Sequence, residues 1–120
     1  MTRRRCSEQQ IQRAIFEHLR WRAVPGAFAF HVPNGGWRSA VEAAIFKGIG
    51  VVAGIPDVVA IHDGKVFCLE LKVDRGRLSN VQRDAHERLR EAGATVATAY
   101  GIDEALGQLT EWCMIKGVSS

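Results

Sequence analysis

Residues 57–72 constrain the fold more than any other part of the chain. Two β-rich runs, Asp57-Val-Val-Ala-Ile-His62 and Lys65-Val-Phe-Cys-Leu-Glu-Leu-Lys72, are separated by the dipeptide Asp63-Gly64. Asp-Gly supplies the positive φ values that a two-residue hairpin turn needs, so the runs are expected to fold back on each other as antiparallel strands. With that loop His62 sits opposite Lys65 and Asp57 falls directly across from Glu70. Paired residues project from the same face, and so does Lys72, two positions past Glu70. Asp57, Glu70 and Lys72 are therefore expected to converge.

The rest of the chain reads as helices and strands around this hairpin. Ser7-Glu8 followed by Ile11, Ile15 and Leu19 predicts a capped amphipathic helix running to about Trp21, stopped by Pro25-Gly26. Residues 27–32 suit a strand, Pro33 to Gly36 a turn, and 39–47 a helix with Val41, Ala44 and Ile45 inward. Ser79-Asn80-Val81-Gln82 has the form of a capping box and opens a helix with Val81, Ala85, Leu89 and Ala92 on one side, ended by Gly93. A strand over 94–100 and a helix over 103–116 complete the order α, β, α, β-hairpin, α, β, α. The fold class is α/β, a mixed central sheet flanked by helices.

With 120 residues, 47% hydrophobic and 24% charged, and no repeat, linker or compositional shift, residues 1–120 read as a single folded domain rather than a disordered chain. Uncharged runs are broken by glycine and proline well short of the roughly 20 apolar residues a membrane span needs. Three cysteines without a CxxC pair argue against a disulfide framework and a structural zinc, and no apolar segment follows Arg3 to Arg5, so an intracellular, reduced setting is expected. A net charge of +3 suits a phosphate-backbone partner without requiring one.

Two readings of the triad stand open. Both faces of the hairpin are otherwise apolar, and opposed carboxylates in a covered sheet need a cation. Lys72 itself is that cation in the first reading, a buried ion triad of structural value only. In the second, Asp57 and Glu70 ligate a hard divalent ion, Mg²⁺ or Mn²⁺, while Lys72 orients or deprotonates a water and offsets phosphate charge.

Helical periodicity puts Glu8 on the same stripe as Ile11, Ile15 and Leu19. It is either a first-turn acid favoured by the helix dipole or an outer ligand beside the hairpin acids. Gln82 is either a capping partner of Ser79 or a further residue of the same pocket. For a nucleic-acid partner the candidates are Arg38, Lys47, Arg75, Arg77 and Arg83, with Arg3 to Arg5 as an arm. Asn34-Gly35-Gly36 can form a turn whose amides, beside Arg38, suit a phosphate; Arg75-Gly76-Arg77 lies between Lys72 and a helix N-terminus. Trp21, Trp37 and Trp112 read as core or interface residues, Trp37 alone as a possible DNA contact. The four histidines show no ligand spacing and read as structural or surface residues.

Asn34-Gly35-Gly36-x-Arg38, Gly54-Ile55-Pro56-Asp57, Glu70-Leu71-Lys72 and Gly76-x-Leu78-Ser79-x-x-Gln82, in that order, resemble the signature of the virus-type replication-repair nuclease domain (VRR-NUC) of the PD-(D/E)xK superfamily. The resemblance spans about residues 8–100. It implies a restriction-endonuclease-like core and a metal-dependent DNA endonuclease, with Asp57, Glu70 and the backbone carbonyl of Leu71 as ligands to Mg²⁺ or Mn²⁺, Lys72 as the catalytic lysine, and Glu8 and Gln82 in support. Single-domain members of that family are associated with homodimers that cut branched DNA, including Holliday junctions; members embedded in longer repair proteins act on flaps. The alternatives are a related nuclease acting on flap or plain duplex DNA, a DNA-binding module without turnover, and a structural α/β domain.

Overall fold

A computed structural model describes residues 6–33 and 39–117. Its elements are α1 (Glu8–Arg22), β1 (Phe28–His31), α2 (Ala40–Gly48), β2 (Val58–His62), β3 (Lys65–Lys72), α3 (Asn80–Glu91), β4 (Thr95–Tyr100) and α4 (Gly101–Glu111). The sheet has the order β1-β2-β3-β4; the first three strands are antiparallel neighbours and β4 lies parallel to β3. The expected α/β class and element order are both present.

The hairpin has the register the Asp-Gly turn dictates. His62 pairs with Lys65 and Val58 with Leu69, and Asp63 and Gly64 take φ values of 53° and 73°. Alternation along β3 sorts its side chains between two layers. Leu69 and Leu71 join Val58, Ala60 and Ala99 against Ile11, Ile15 and Leu19 of α1 and Ala105 and Leu109 of α4, which form the main hydrophobic core. Glu70 and Lys72 point to the other face, where α3 packs. Met114 and Ile115 close the core after α4 ends; the chain there pairs with Ala23, and Arg22 donates to the Lys116 carbonyl.

The N-caps of α1 and α3 are capping boxes. Ser79 and Gln82 satisfy each other's backbone N–H as expected, and Ser7 does the same with Gln10. Other expectations are corrected. Helix α2 buries none of its residues, so Val41 and Ile45, at 70% and 56% exposure, and Ala44 face outward; among the described residues no element covers this stripe of the nine-residue helix. In α3 the stripe is rotated: Val81 and Ala92 are exposed, and the face turned to the sheet carries Gln82, Ala85, His86 and Leu89. Helix α4 starts at Gly101 and stops at Glu111, earlier at both ends than its periodicity suggested. Trp112 stacks on Phe67 at a centroid distance of 5.2 Å, while Trp21 is exposed. Among the described residues no helix is long and apolar enough to cross a membrane.

Candidate metal-assisted active site

The site is built where β2 begins and β3 ends. Asp57 immediately precedes β2, one step past the last ladder pair, and its Oδ2 accepts the N–H of Leu71 at 2.8 Å. Within a strand a residue's N–H and C=O leave on the same edge. The Leu71 carbonyl therefore shares the strand edge that faces Asp57. On the other side Nδ1 of His31, in β1, lies 2.7 Å from the Asp57 carbonyl oxygen, so the backbone of this acid is held as well as its side chain.

Glu70 is 2% exposed. Burial, the hydrogen bond and charge of Asp57, and the charge of Glu8 push its pKa up to about 9, against the pull of Lys72. Burial beside a second carboxyl thus favours the protonated form of Glu70. Lys72 is buried on the same face but forms no ion pair among the described residues, so the bridging triad of the purely structural reading is not the arrangement found. Gly76 gives the lysine stem room: a Cβ there would stand 3.4 Å from Lys72 Cδ and 3.1 Å from the Val73 carbonyl oxygen.

The fourth group at this site is one that the sequence presents only as a structural or surface residue. His86, from α3, is 1% exposed, and its Nε2 lies 2.9 Å from Glu70 Oε1. Desolvation first, then the charges of Arg90 and Lys72, lower its pKa against the opposing influence of Asp57. Both shifts disfavour the charged forms, so burial works against an ion pair at this contact. A signal was available: His86 lies one helical turn after Gln82, on the same face of α3.

Glu8 is exposed in the first turn of α1, not buried with Ile11, Ile15 and Leu19; burial on that stripe begins one turn later, and the helix dipole favours an acid where Glu8 stands. Its charge nevertheless reaches Glu70. Gln82 is half-buried, with Oε1 accepting the Ser79 N–H at 2.9 Å and no hydrogen bond to the acids. Arg75 and Arg77 are exposed in the turn after β3, where Arg75 holds φ at 68°, a conformation that normally favours glycine. Lys47 and Arg83 are exposed too. Asn34, Gly35, Gly36, Trp37 and Arg38, like Arg3 to Arg5, lie outside the described residues.

The donor set fits a hard cation. The described residues contain no group of three or more His, Cys, Asp and Glu side chains that would hold an ion, but a Mg²⁺ site takes one or two carboxylates and fills its remaining positions with other oxygens. Asp57, Glu70 and the Leu71 carbonyl offer oxygen only, and a cation bound there would offset the burial that holds Glu70 in its protonated form.

No family model matches the sequence, and no curated protein does. A solved structure described as a VRR_NUC domain protein superposes with a TM-score of 0.75 and 24% sequence identity, over 96% of this chain and 97% of that one. The elements that bring Asp57, Glu70 and Lys72 onto one face of the sheet belong to the fold of a VRR_NUC domain protein.

Proposed function

We propose that the chain is a Mg²⁺- or Mn²⁺-dependent endodeoxyribonuclease, selective for branched DNA such as Holliday junctions and acting as a homodimer. The observation that carries the catalytic part is the meeting of Asp57 with the buried Glu70, on the face of the sheet that also buries Lys72. The likeness to a VRR_NUC domain protein supports a nuclease domain. Branch selectivity and the homodimer rest on the motif resemblance and on the symmetry that cutting two strands asks for.

Each residue has a distinct task. Asp57 and Glu70, with the Leu71 carbonyl, hold the ion, which when bound neutralises charge on the phosphate and acidifies a water. Asp57 is held at its carboxylate by the Leu71 N–H and at its carbonyl by His31, so it meets the ligand pre-oriented. Lys72, as an ammonium, orients the attacking water by hydrogen bonding and offsets charge building on the phosphoryl oxygens. In-line attack expels the 3′-oxygen and leaves a 5′-phosphate. Glu8 adds negative potential at the rim, and Gln82 supports the wall of the pocket from α3. Arg75 and Arg77, together with the Asn34-Gly35-Gly36-x-Arg38 segment, guide the DNA backbone; the unfavourable φ of Arg75 is what a turn built to present that side chain would tolerate.

The test incubates labelled four-way junction, flap and linear duplex with the protein under Mg²⁺, Mn²⁺ or EDTA, beside Asp57→Ala and Lys72→Ala, with oligomeric state read by light scattering. Metal-dependent cutting of the junction, lost in both variants, is expected. Metal-independent binding without cutting by the wild type identifies a DNA-binding module instead, and preference for flap or duplex identifies a related nuclease with another substrate.

A further inference from the structure

We infer that His86 is a positioning residue for Glu70, holding one carboxylate oxygen so that the acid faces Asp57 in the orientation a cation requires. The inference rests on the metal-site reading above and adds a residue that neither the hairpin nor the acidic motif contains.

Packing alone does not account for an imidazole at this place. His86 is almost fully enclosed, and its Nδ1 is buried without a hydrogen-bond partner among the described residues. An orphaned buried nitrogen costs free energy that a leucine of similar volume would avoid. Its one compensating contact is Nε2 to Glu70 Oε1, 2.9 Å, and toward an ionised Glu70 it is Nε2–H that donates. Outer partners of this kind fix the direction and basicity of metal-ligating groups.

The same helix also steadies the other acid. Gly54 presses so closely on α3 that a Cβ there would stand 2.5 Å from the Val81 carbonyl oxygen and 3.0 Å from Gln82 Cα. The loop 54–56 that leads into Asp57 thus rests on the first turn of α3, and His86 reaches Glu70 from the next turn. One helix holds the two acids relative to each other, through backbone contact on one side and through an imidazole on the other.

The test compares Mn²⁺ binding, read from the electron paramagnetic resonance signal of the free ion, in the wild type, Asp57→Ala, His86→Asn and His86→Gln. Glutamine can place a donor near the position of Nε2; asparagine is too short. His86→Asn is expected to weaken Mn²⁺ binding about tenfold, with His86→Gln recovering most of the loss. Equal Mn²⁺ binding by the wild type and a folded His86→Asn overturns the inference and leaves the metal site standing; equal losses in both variants overturn it in favour of packing. A wild type that binds no Mn²⁺ overturns the metal site and the inference together. If the variants do not fold, imidazole ¹⁵N resonances of the wild type decide: Mg²⁺ should shift those of His86 more than those of His18 or His62, and an unmoved His86 in a protein that binds Mn²⁺ overturns the assignment.

Discussion

Asp57 is fastened through its side chain to the strand that carries the other acid: its Oδ2 accepts the N–H of Leu71 at 2.8 Å, in place of the ladder bond that β2 no longer offers. The carboxylate therefore has a structural duty besides any catalytic one. Asp57→Ala should lose cleavage and also destabilise the fold by about 1–3 kcal/mol, because the Leu71 N–H is left without its acceptor. Asp57→Asn retains an oxygen for that N–H and should recover most of the stability while still failing to cut, since a neutral amide is a poor ligand for a divalent ion. Urea denaturation near pH 6 with parallel cleavage assays separates the two effects; an Asp57→Ala protein as stable as wild type contradicts the anchoring role.

The raised pKa of Glu70 makes stability depend on pH in a definite direction. Folded, the acid holds its proton up to about pH 9, whereas the unfolded chain releases it near the ordinary value of 4.5. Its favourable contribution is complete below that lower value and is lost as pH rises through the interval. His86 acts in the opposite sense: its lowered pKa favours the neutral ring, so stability falls as pH drops below its ordinary value of 6.5. With EDTA, the melting temperature should fall from pH 6.5 to pH 9, and Mg²⁺ should raise it most at the alkaline end, where ion and proton no longer compete. Glu70→Gln should flatten the alkaline limb; an unchanged slope in that variant shows that another group controls it.

The hairpin was legible because its information is local. Asp63-Gly64 fixes the turn, the turn fixes the register, and the register puts Asp57 opposite Glu70. Helix faces were harder. The apolar residues of α3 point to Val81 and Ala92 as inward, whereas the face turned to the sheet includes the half-buried Gln82 and the buried His86. A polar side chain buried because it serves another polar side chain breaks the very pattern used to find buried positions. Helix α2 fails for a different reason: an apolar stripe reports a preference for burial, and only the tertiary structure says whether a partner exists. Glu8 shows the converse, since it shares the helical spacing of Ile11, Ile15 and Leu19 but is exposed in the first turn of α1.

Lys72 separates metal binding from turnover. It is buried on the same face as Glu70 and pairs with neither acid among the described residues; in the proposed mechanism its charge acts on the bound substrate and water. Lys72→Met keeps the apolar stem and removes the charge. Replacing a buried charge with an apolar group of similar size is often neutral or stabilising, so the variant should melt no lower than wild type and still bind Mn²⁺. Cleavage should drop by about 10²–10³-fold, the range for loss of one donor that stabilises charge in the transition state. A variant that fails to bind Mn²⁺ would show instead that Lys72 is needed to assemble the acids.

Gly54 tests whether the loop leading to Asp57 depends on contact with α3. Its φ is 84°, and a Cβ there would stand 2.5 Å from the Val81 carbonyl oxygen, an approach that backbone on both sides cannot relieve by a rotamer change. Gly50 provides the control, with φ at 98° but open space around it. Left-handed backbone alone costs a non-glycine residue roughly 1–2 kcal/mol. Gly50→Ala should show that cost and retain cleavage, whereas Gly54→Ala should lose about 3 kcal/mol or more, because the clash adds to the strain. Where Gly54→Ala stays folded, displacement of the loop should move Asp57 away from Glu70 and weaken Mn²⁺ binding. Denaturant midpoints and Mn²⁺ titrations of the two variants, measured side by side, decide: equal losses would mean that backbone conformation, and not the seat on α3, is what position 54 requires.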